Sequence, residues 1–368
     1  MTRSLLGVLV SGCVVLAGCS SSTTADTSAY SGATGAERNA GAAPPSGAGS
    51  SSGGASTEAP PSGAPTGTPG DDVQAGLLTA GAWDDNLNYD FFGKYLAQSS
   101  TSVGRTIFTK AEHDAAHARV AQGGGAKTEL DVAVVFDTTG SMGDELKYLQ
   151  TEMHAIASTL NAKFPGTTPR FALVVYRDVH DEYLTRKFDF TANVGEFQGH
   201  LNQQSAGGGG DRPEAVPEGF EAGVGLSWRA EPNVAKLMFF VADAPQHTGT
   251  EPRVKAAVEA AVQKNVHVYP VAASGVDASA ELTLREAAQY TGGRYLFLTD
   301  DSGVGNTHAE PHIPCYTVTR LDRAIVRMVQ SEMTGARVEP AAEDVIRTVG
   351  NPVGGKCTIG DESQVTLY

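Results

Sequence analysis

From residue 128 onward the apolar residues follow two alternating rhythms. Unbroken apolar runs, such as Val-Ala-Val-Val-Phe at 132–136 and Leu-Met-Phe-Phe-Val-Ala at 237–242, have the length and composition of strands buried on both faces. Between them lie longer stretches with apolar positions three and four apart, the spacing of one helix face. The pattern predicts strands at 132–136, 171–176, 237–242, 266–272 and 294–298, with a short edge strand at 187–190. It predicts helices at 143–163, 251–264, 280–290 and 320–334, and one that follows the glycine loop 207–210 and ends near Trp228. Such alternation predicts an α/β fold with a mostly parallel central sheet flanked by helices.

Residues 73–127 have a different character. The run 76–86, Gly-Leu-Leu-Thr-Ala-Gly-Ala-Trp-Asp-Asp-Asn, leads into Tyr89, Phe91, Phe92 and Tyr95. The carboxylates and amides at Asp84, Asp85, Asn86 and Asn88 would suit calcium, but the spacing lacks the later glutamate of an EF-hand loop. A turn followed by an aromatic face is the better reading. Residues 99–127 read as a strand-like edge, a short helix at 112–120 and a linker through Gly123, Gly124 and Gly125. The segment 73–127 is expected to be an N-terminal extension packing on a main domain at 128–335, with 336–368 as a C-terminal tail.

The first 19 residues have the form of an export signal: Arg3, an apolar core at 5–16 too short to span a bilayer, and Leu16-Ala17-Gly18-Cys19. That tetrapeptide resembles a lipobox, which implies cleavage before Cys19 and lipidation of that cysteine. An ordinary secretory signal cut nearby is the alternative. Residues 20–72 are mostly Ser, Gly, Ala, Pro and Thr, with Tyr30 the only aromatic residue. Such a composition cannot offset its ordering entropy and predicts a disordered linker, with a random-coil span of roughly 40 Å. The expected location is the cell envelope, lipid-anchored at the outer membrane or the outer face of the cell membrane. Once Cys13 leaves with the signal and Cys19 takes lipid, Cys315 and Cys357 remain. In an exported protein they pair most simply as a disulfide; a two-cysteine metal site is the alternative. The net charge of −15 argues against nucleic acid as a partner.

The candidate chemistry sits where the first buried strand ends. Asp137, Thr139 and Ser141 present one carboxylate and two hydroxyls on a tight loop at a strand's carboxyl end, where ligands sit in open α/β sheets. The donors are all hard oxygens, suited to Mg²⁺, Mn²⁺ or Ca²⁺. Each residue also has a plainer reading, as a helix cap or turn residue. The segment Asp137-Thr138-Thr139-Gly140-Ser141 resembles the first part of the metal-ion-dependent adhesion site, Asp-x-Ser/Thr-x-Ser, of a von Willebrand factor type A domain. The order of predicted elements over about 128–335 resembles that family as well, which implies a three-layer, Rossmann-like fold.

The resemblance implies that three strand-end loops converge on one divalent cation, Mg²⁺ first. The third loop would supply Asp243, after the apolar run 237–242. The second, which brings a threonine in the family, reads here Gly207-Gly208-Gly209-Gly210-Asp211-Arg212-Pro213-Glu214. Asp211 is the natural donor and Glu214 a second candidate. A third carboxylate would bind the cation more tightly and weaken its pull on an acidic partner. Tyr176-Arg177-Asp178, with Asp181 and Glu182, is expected on the same face, with Arg177 pairing to a site carboxylate or to a loop acid; His247 lies just past the third loop.

Enzymatic readings fail on spacing. An extra threonine breaks the aspartic-protease pattern, and no second copy supplies its paired carboxylate. The serine motif is not Gly-x-Ser-x-Gly, and the glycine loop lacks the Gly-Lys-Ser/Thr ending of a phosphate loop. A non-enzymatic role is expected. Two remain: an envelope-anchored module that recognises a protein partner through or beside the cation, or an assembly component in which the metal only braces the loops.

Overall fold

The computed structural model describes residues 73–368. The expected signal 1–19, lipidation at Cys19 and linker 20–72 lie outside the described residues. Chain order begins with β1 (Thr79–Trp83), α1 (Tyr89–Ser102), α2 (Lys110–Val120), β2 (Glu129–Asp137) and α3 (Leu146–Lys163). There follow β3 (Arg170–Tyr176), β4 (Thr185–Thr191), α4 (Val194–Asn202), α5 (Val216–Val224), β5 (Val234–Ala242), α6 (Glu251–Gln263) and β6 (His267–Ala272). The last part holds α7 (Ala278–Thr291), β7 (Tyr295–Leu298), β8 (Tyr316–Arg320), α8 (Leu321–Thr334) and the short strands β9 (Arg347–Val349), β10 (Lys356–Thr358) and β11 (Gln364–Thr366).

Nine strands form one sheet in the order β4-β3-β2-β5-β6-β7-β1-β8-β9. The β3-β2-β5-β6-β7 core is parallel, and the pairs towards both edges are antiparallel. Side-chain alternation sends Val132, Val134 and Phe136 to one face with α3 and α8. It sends Ala133 and Val135 to the other, with α5, α6 and α7. The expected three-layer α/β architecture with a mostly parallel sheet is therefore the one found.

Four features depart from the sequence expectation, the first being helix α4, which the apolar pattern did not predict. Residues 73–127 do not only pack against the domain, because β1 lies inside the sheet between β7 and β8. The region around 99–102 is not a strand-like edge but the end of α1, whose Phe92, Tyr95 and Leu96 form a buried stripe on Leu282 at helical spacing. The tail 336–368 is not only held by the expected Cys315–Cys357 disulfide, with its Cα atoms 6.2 Å apart, but joins the sheet through β9 on β8. Asp84 and Asp85 act as a turn: Asp84 accepts from Asn86 N (2.9 Å) and pairs with Arg294, while Asp85 pairs with buried Arg285 (2.7 Å). No helix among the described residues is long and apolar enough to cross a membrane.

Candidate metal centre

Strand β2 sits at the middle of the sheet, hydrogen-bonded to β3 and β5, and its last residue is Asp137. The carboxylate is fully buried. Its Oδ1 accepts from the Thr139 backbone N–H (2.9 Å) and the Thr139 hydroxyl (2.7 Å). The Thr139 and Ser141 hydroxyls lie 3.3 Å apart, and Ser141 hydrogen-bonds Asp243 beyond the end of β5. The structure thus brings Asp137, Thr139, Ser141 and Asp243 into one continuous chain of oxygens.

The glycine loop is stitched to this turn through its backbone. Gly207 N donates to Thr138 O (3.0 Å), and Gly140 N donates to Gly208 O (3.2 Å). Gly208 and Gly209 have φ of 79° and 68°, a backbone that favours glycine. Asp211 lies exposed on the surface. Glu214 is the acid carried inward, only 3% exposed. Its N–H donates to Pro245 O (2.9 Å), and it forms a parallel bridge with Gln246, so the second and third loops are tied together at this residue. A Cβ placed on Gly209 would meet Glu214 Oε1 at 3.0 Å and Thr139 Cβ at 3.3 Å, which sets the glutamate beside the turn.

Electrostatics at this point are unfavourable for the protein alone. Burial and the neighbouring Asp243 push Asp137 up to about 7. Burial, with Asp137, Asp178, Asp243 and Asp181, pushes Glu214 up to about 9. Asp243 is raised as well, first by burial. Asp137 Oδ2, Glu214 Oε2 and Asp243 Oδ1 are buried and have no hydrogen-bond partner. Orphaned acceptors of this kind are costly unless a cation or proton answers them. Among the described residues no three His, Cys, Asp or Glu side chains form a metal cluster by themselves. A cation here would rest on the Thr139 and Ser141 hydroxyls as well as on carboxylates.

The surrounding residues form a supporting layer. Arg177 does not pair with Asp137, Glu214 or Asp243; it donates to Ser205 O (2.7 Å) and meets Glu182 at 3.5 Å. Asp181 accepts from Asp178 N and Gly209 N, holding the glycine loop. His247 is engaged with Asp178 at 2.7 Å. Sequence reasoning missed Glu145, which is fully buried behind Asp243 and accepts from Ser274 N (3.1 Å) and bonds His308 Nε2 (2.8 Å). Its position one residue before α3 carries no local signal, because both partners come from distant loops.

Residues 131–305 match the family profile described as von Willebrand factor A domain. Over 124 residues the chain is 31% identical to the alpha-protein kinase vwkA of Dictyostelium discoideum, covering 33% of this chain and 19% of that protein. The chain therefore spans about a fifth of the length of this relative. Among solved structures, proximal thread matrix protein 1 from the mussel byssus aligns with a TM-score of 0.34 at 18% identity, over 45% of this chain and 41% of that one. The pilus adhesin SpaC from Lactobacillus rhamnosus GG aligns with a TM-score of 0.34 at 11% identity, over 46% of this chain and 27% of that one.

Proposed function

We propose that this chain, which carries a von Willebrand factor A domain over residues 131–305, is an envelope-anchored, non-enzymatic binding module. It recognises a protein partner through or beside a divalent cation, Mg²⁺ before Mn²⁺ or Ca²⁺. Lipidation at Cys19 and the linker 20–72 would hold the domain away from a membrane surface. The observation that carries the cation is the set of buried, unpartnered oxygens on Asp137, Asp243 and Glu214, next to two hydroxyls. These donors fit a hard divalent ion, which would replace mutual repulsion with attraction. The chain's own part is to hold the oxygens in place: β2 and β5 fix the aspartates, the turn fixes the hydroxyls, and the Gln246 bridge fixes Glu214.

The bracing role remains a second reading, and Glu214 favours it. Three carboxylates more than neutralise a divalent charge, which lowers the centre's attraction for an acidic group on a partner. The two readings separate by experiment. Calorimetric titration of the metal-stripped protein with Mg²⁺, Mn²⁺ and Ca²⁺ is expected to give saturable binding that Asp137→Ala and Asp243→Ala abolish. Absence of binding by folded wild type would end the metal reading. Loss of partner capture on chelation with the fold intact supports recognition through the ion; unfolding on chelation supports bracing.

A further inference from the structure

At the opposite end of the sheet from the oxygen cluster, a cavity of about 420 Å³ opens between the starts of β5 and β6, the ends of α7 and α8, and the glycine strap at 123–125. That volume is in the range of small-molecule sites, roughly 300–1,000 Å³. In a chain of net charge −15, its wall carries Arg119, Lys127, Lys236, Arg294 and Arg337 against a single acid, Glu332.

The charges do not cancel within the protein. Arg294 pairs with Asp84, and Arg337 with Glu339. Arg119, Lys127 and Lys236 have no ion pair among the described residues; they donate to the main-chain oxygens of Tyr290, Pro232 (2.8 Å) and Lys264 (2.9 Å). Two of those carbonyls belong to the ends of α7 and α6, whose dipoles supply about half an elementary charge each. Arg119 is exposed and lies over the Tyr290 ring, and Lys127 is half-buried, so both charges stand at the mouth of the cavity. Lys236 is only 7% exposed, and burial pulls its ammonium below the ordinary lysine value; Asp131 and Glu231 oppose that shift at longer range, and Lys127 and Lys264 add to it. The Nε of Arg337 is buried without a partner. Glu332 is hydrogen-bonded by His267 and Tyr269 and, with Arg294 also nearby, is held down at about 2; it forms no ion pair with Arg119, Lys127, Lys236 or Arg337. Gly123, Gly124 and Gly125 border the space with backbone alone, and a Cβ on any of them would meet nothing within 4 Å.

We propose that this cavity binds a small, multiply charged oxyanion, a phosphate or polycarboxylate ligand, with Lys236, Lys127 and Arg119 as its counter-charges. Three cations without an ion-pair partner among the described residues, set around one open cavity, are ready counter-charges for such a ligand. The site is independent of the metal centre.

The test is calorimetric titration of the full chain with pyrophosphate and with citrate, free of divalent cations and at constant ionic strength. Saturable binding of either is expected, weakened about tenfold or more in Lys236→Gln and in the pair Arg119→Gln/Lys127→Gln, and unchanged in Asp137→Ala. Pyrophosphate alone would identify a phosphate ligand and citrate alone a carboxylate. If Lys236→Gln fails to fold, the pair at the rim carries the test. No saturable binding of either anion by folded wild type overturns the proposal, as does equal binding by the rim pair.

Discussion

At Glu214 the backbone N–H is held by Pro245 O, and the parallel bridge to Gln246 turns the side chain inward beside Thr139; at Asp211, three residues earlier, the side chain stays in solvent. A divalent ion gains far more from a buried, repelled carboxylate than from a hydrated one. Glu214→Gln is therefore expected to weaken Mg²⁺ or Mn²⁺ binding about tenfold or more, ~1.4 kcal/mol, while Asp211→Asn leaves it within about twofold. The same Glu214→Gln should raise the melting temperature of the metal-free protein near neutral pH, since it removes a buried acid, pushed up to about 9, that must take up a proton on folding. Calorimetry and thermal melts in chelator read both effects, and the opposite ranking of the two variants would return the second-loop role to Asp211. The first loop was legible because Asp137, Thr139 and Ser141 lie within five residues of one another at the end of an apolar strand. The second loop was not, because the choice between two acids depends on a bridge to a strand end some thirty residues away.

Strand β1 shows the same limit for whole elements. Thr-Ala-Gly-Ala-Trp lacks a run of β-branched residues and does not read as a central strand. Its place is set by what it meets: a Cβ on Gly81 would fall 2.2 Å from the Phe297 ring, so the glycine makes room for that ring to cross. The turn after β1 then plants Asp85 on Arg285 of α7, both buried, with Glu281 as the second partner of the guanidinium. A second buried group, Glu286 with His113 and the Ile107 N–H, fastens α2 and its approach to the same helix. Helix α7 is thereby clamped between the sheet and the N-terminal segment through buried polar groups that cannot be left single. Removing one partner of such a buried pair typically costs about 3–5 kcal/mol. Asp85→Ala is expected to lose stability on that scale in urea unfolding, less whatever Glu281 retains for Arg285. A loss below about 0.5 kcal/mol would mean that β1 and α7 are not coupled through this pair. The elements from β2 to α7, α4 apart, were legible because each carries its own periodicity; β1 and β8 were not, because their pairing is made by residues more than two hundred positions apart.

Across the whole molecule the two ends of the described chain are built into one body rather than appended to it. Beyond the β9–β8 pairing, two of the tail's attachments lie close together. Cys357 is bonded to Cys315, just before β8, and the terminal Tyr368 is fully buried. Its carbonyl accepts from the Thr317 hydroxyl (2.7 Å), and its ring lies against the guanidinium groups of Arg294, Arg327 and Arg337 at 4.6–4.9 Å. Taken alone, loss of a native disulfide costs about 2–4 kcal/mol, and truncation of a buried aromatic residue to alanine about 3–5. The anchors lie only eleven residues apart on one segment, so freeing the tail at one end removes much of what the other can contribute. The expected result is that Tyr368→Ala and Cys357→Ser each lower the free energy of unfolding by amounts in those ranges, and that the double variant loses clearly less than their sum. Neighbouring sites that share one docking event behave in this non-additive way, whereas independent sites add within about 0.5 kcal/mol. Strict additivity in a double-mutant cycle would show two separate attachments, with the segment between them free to leave the body while both ends hold.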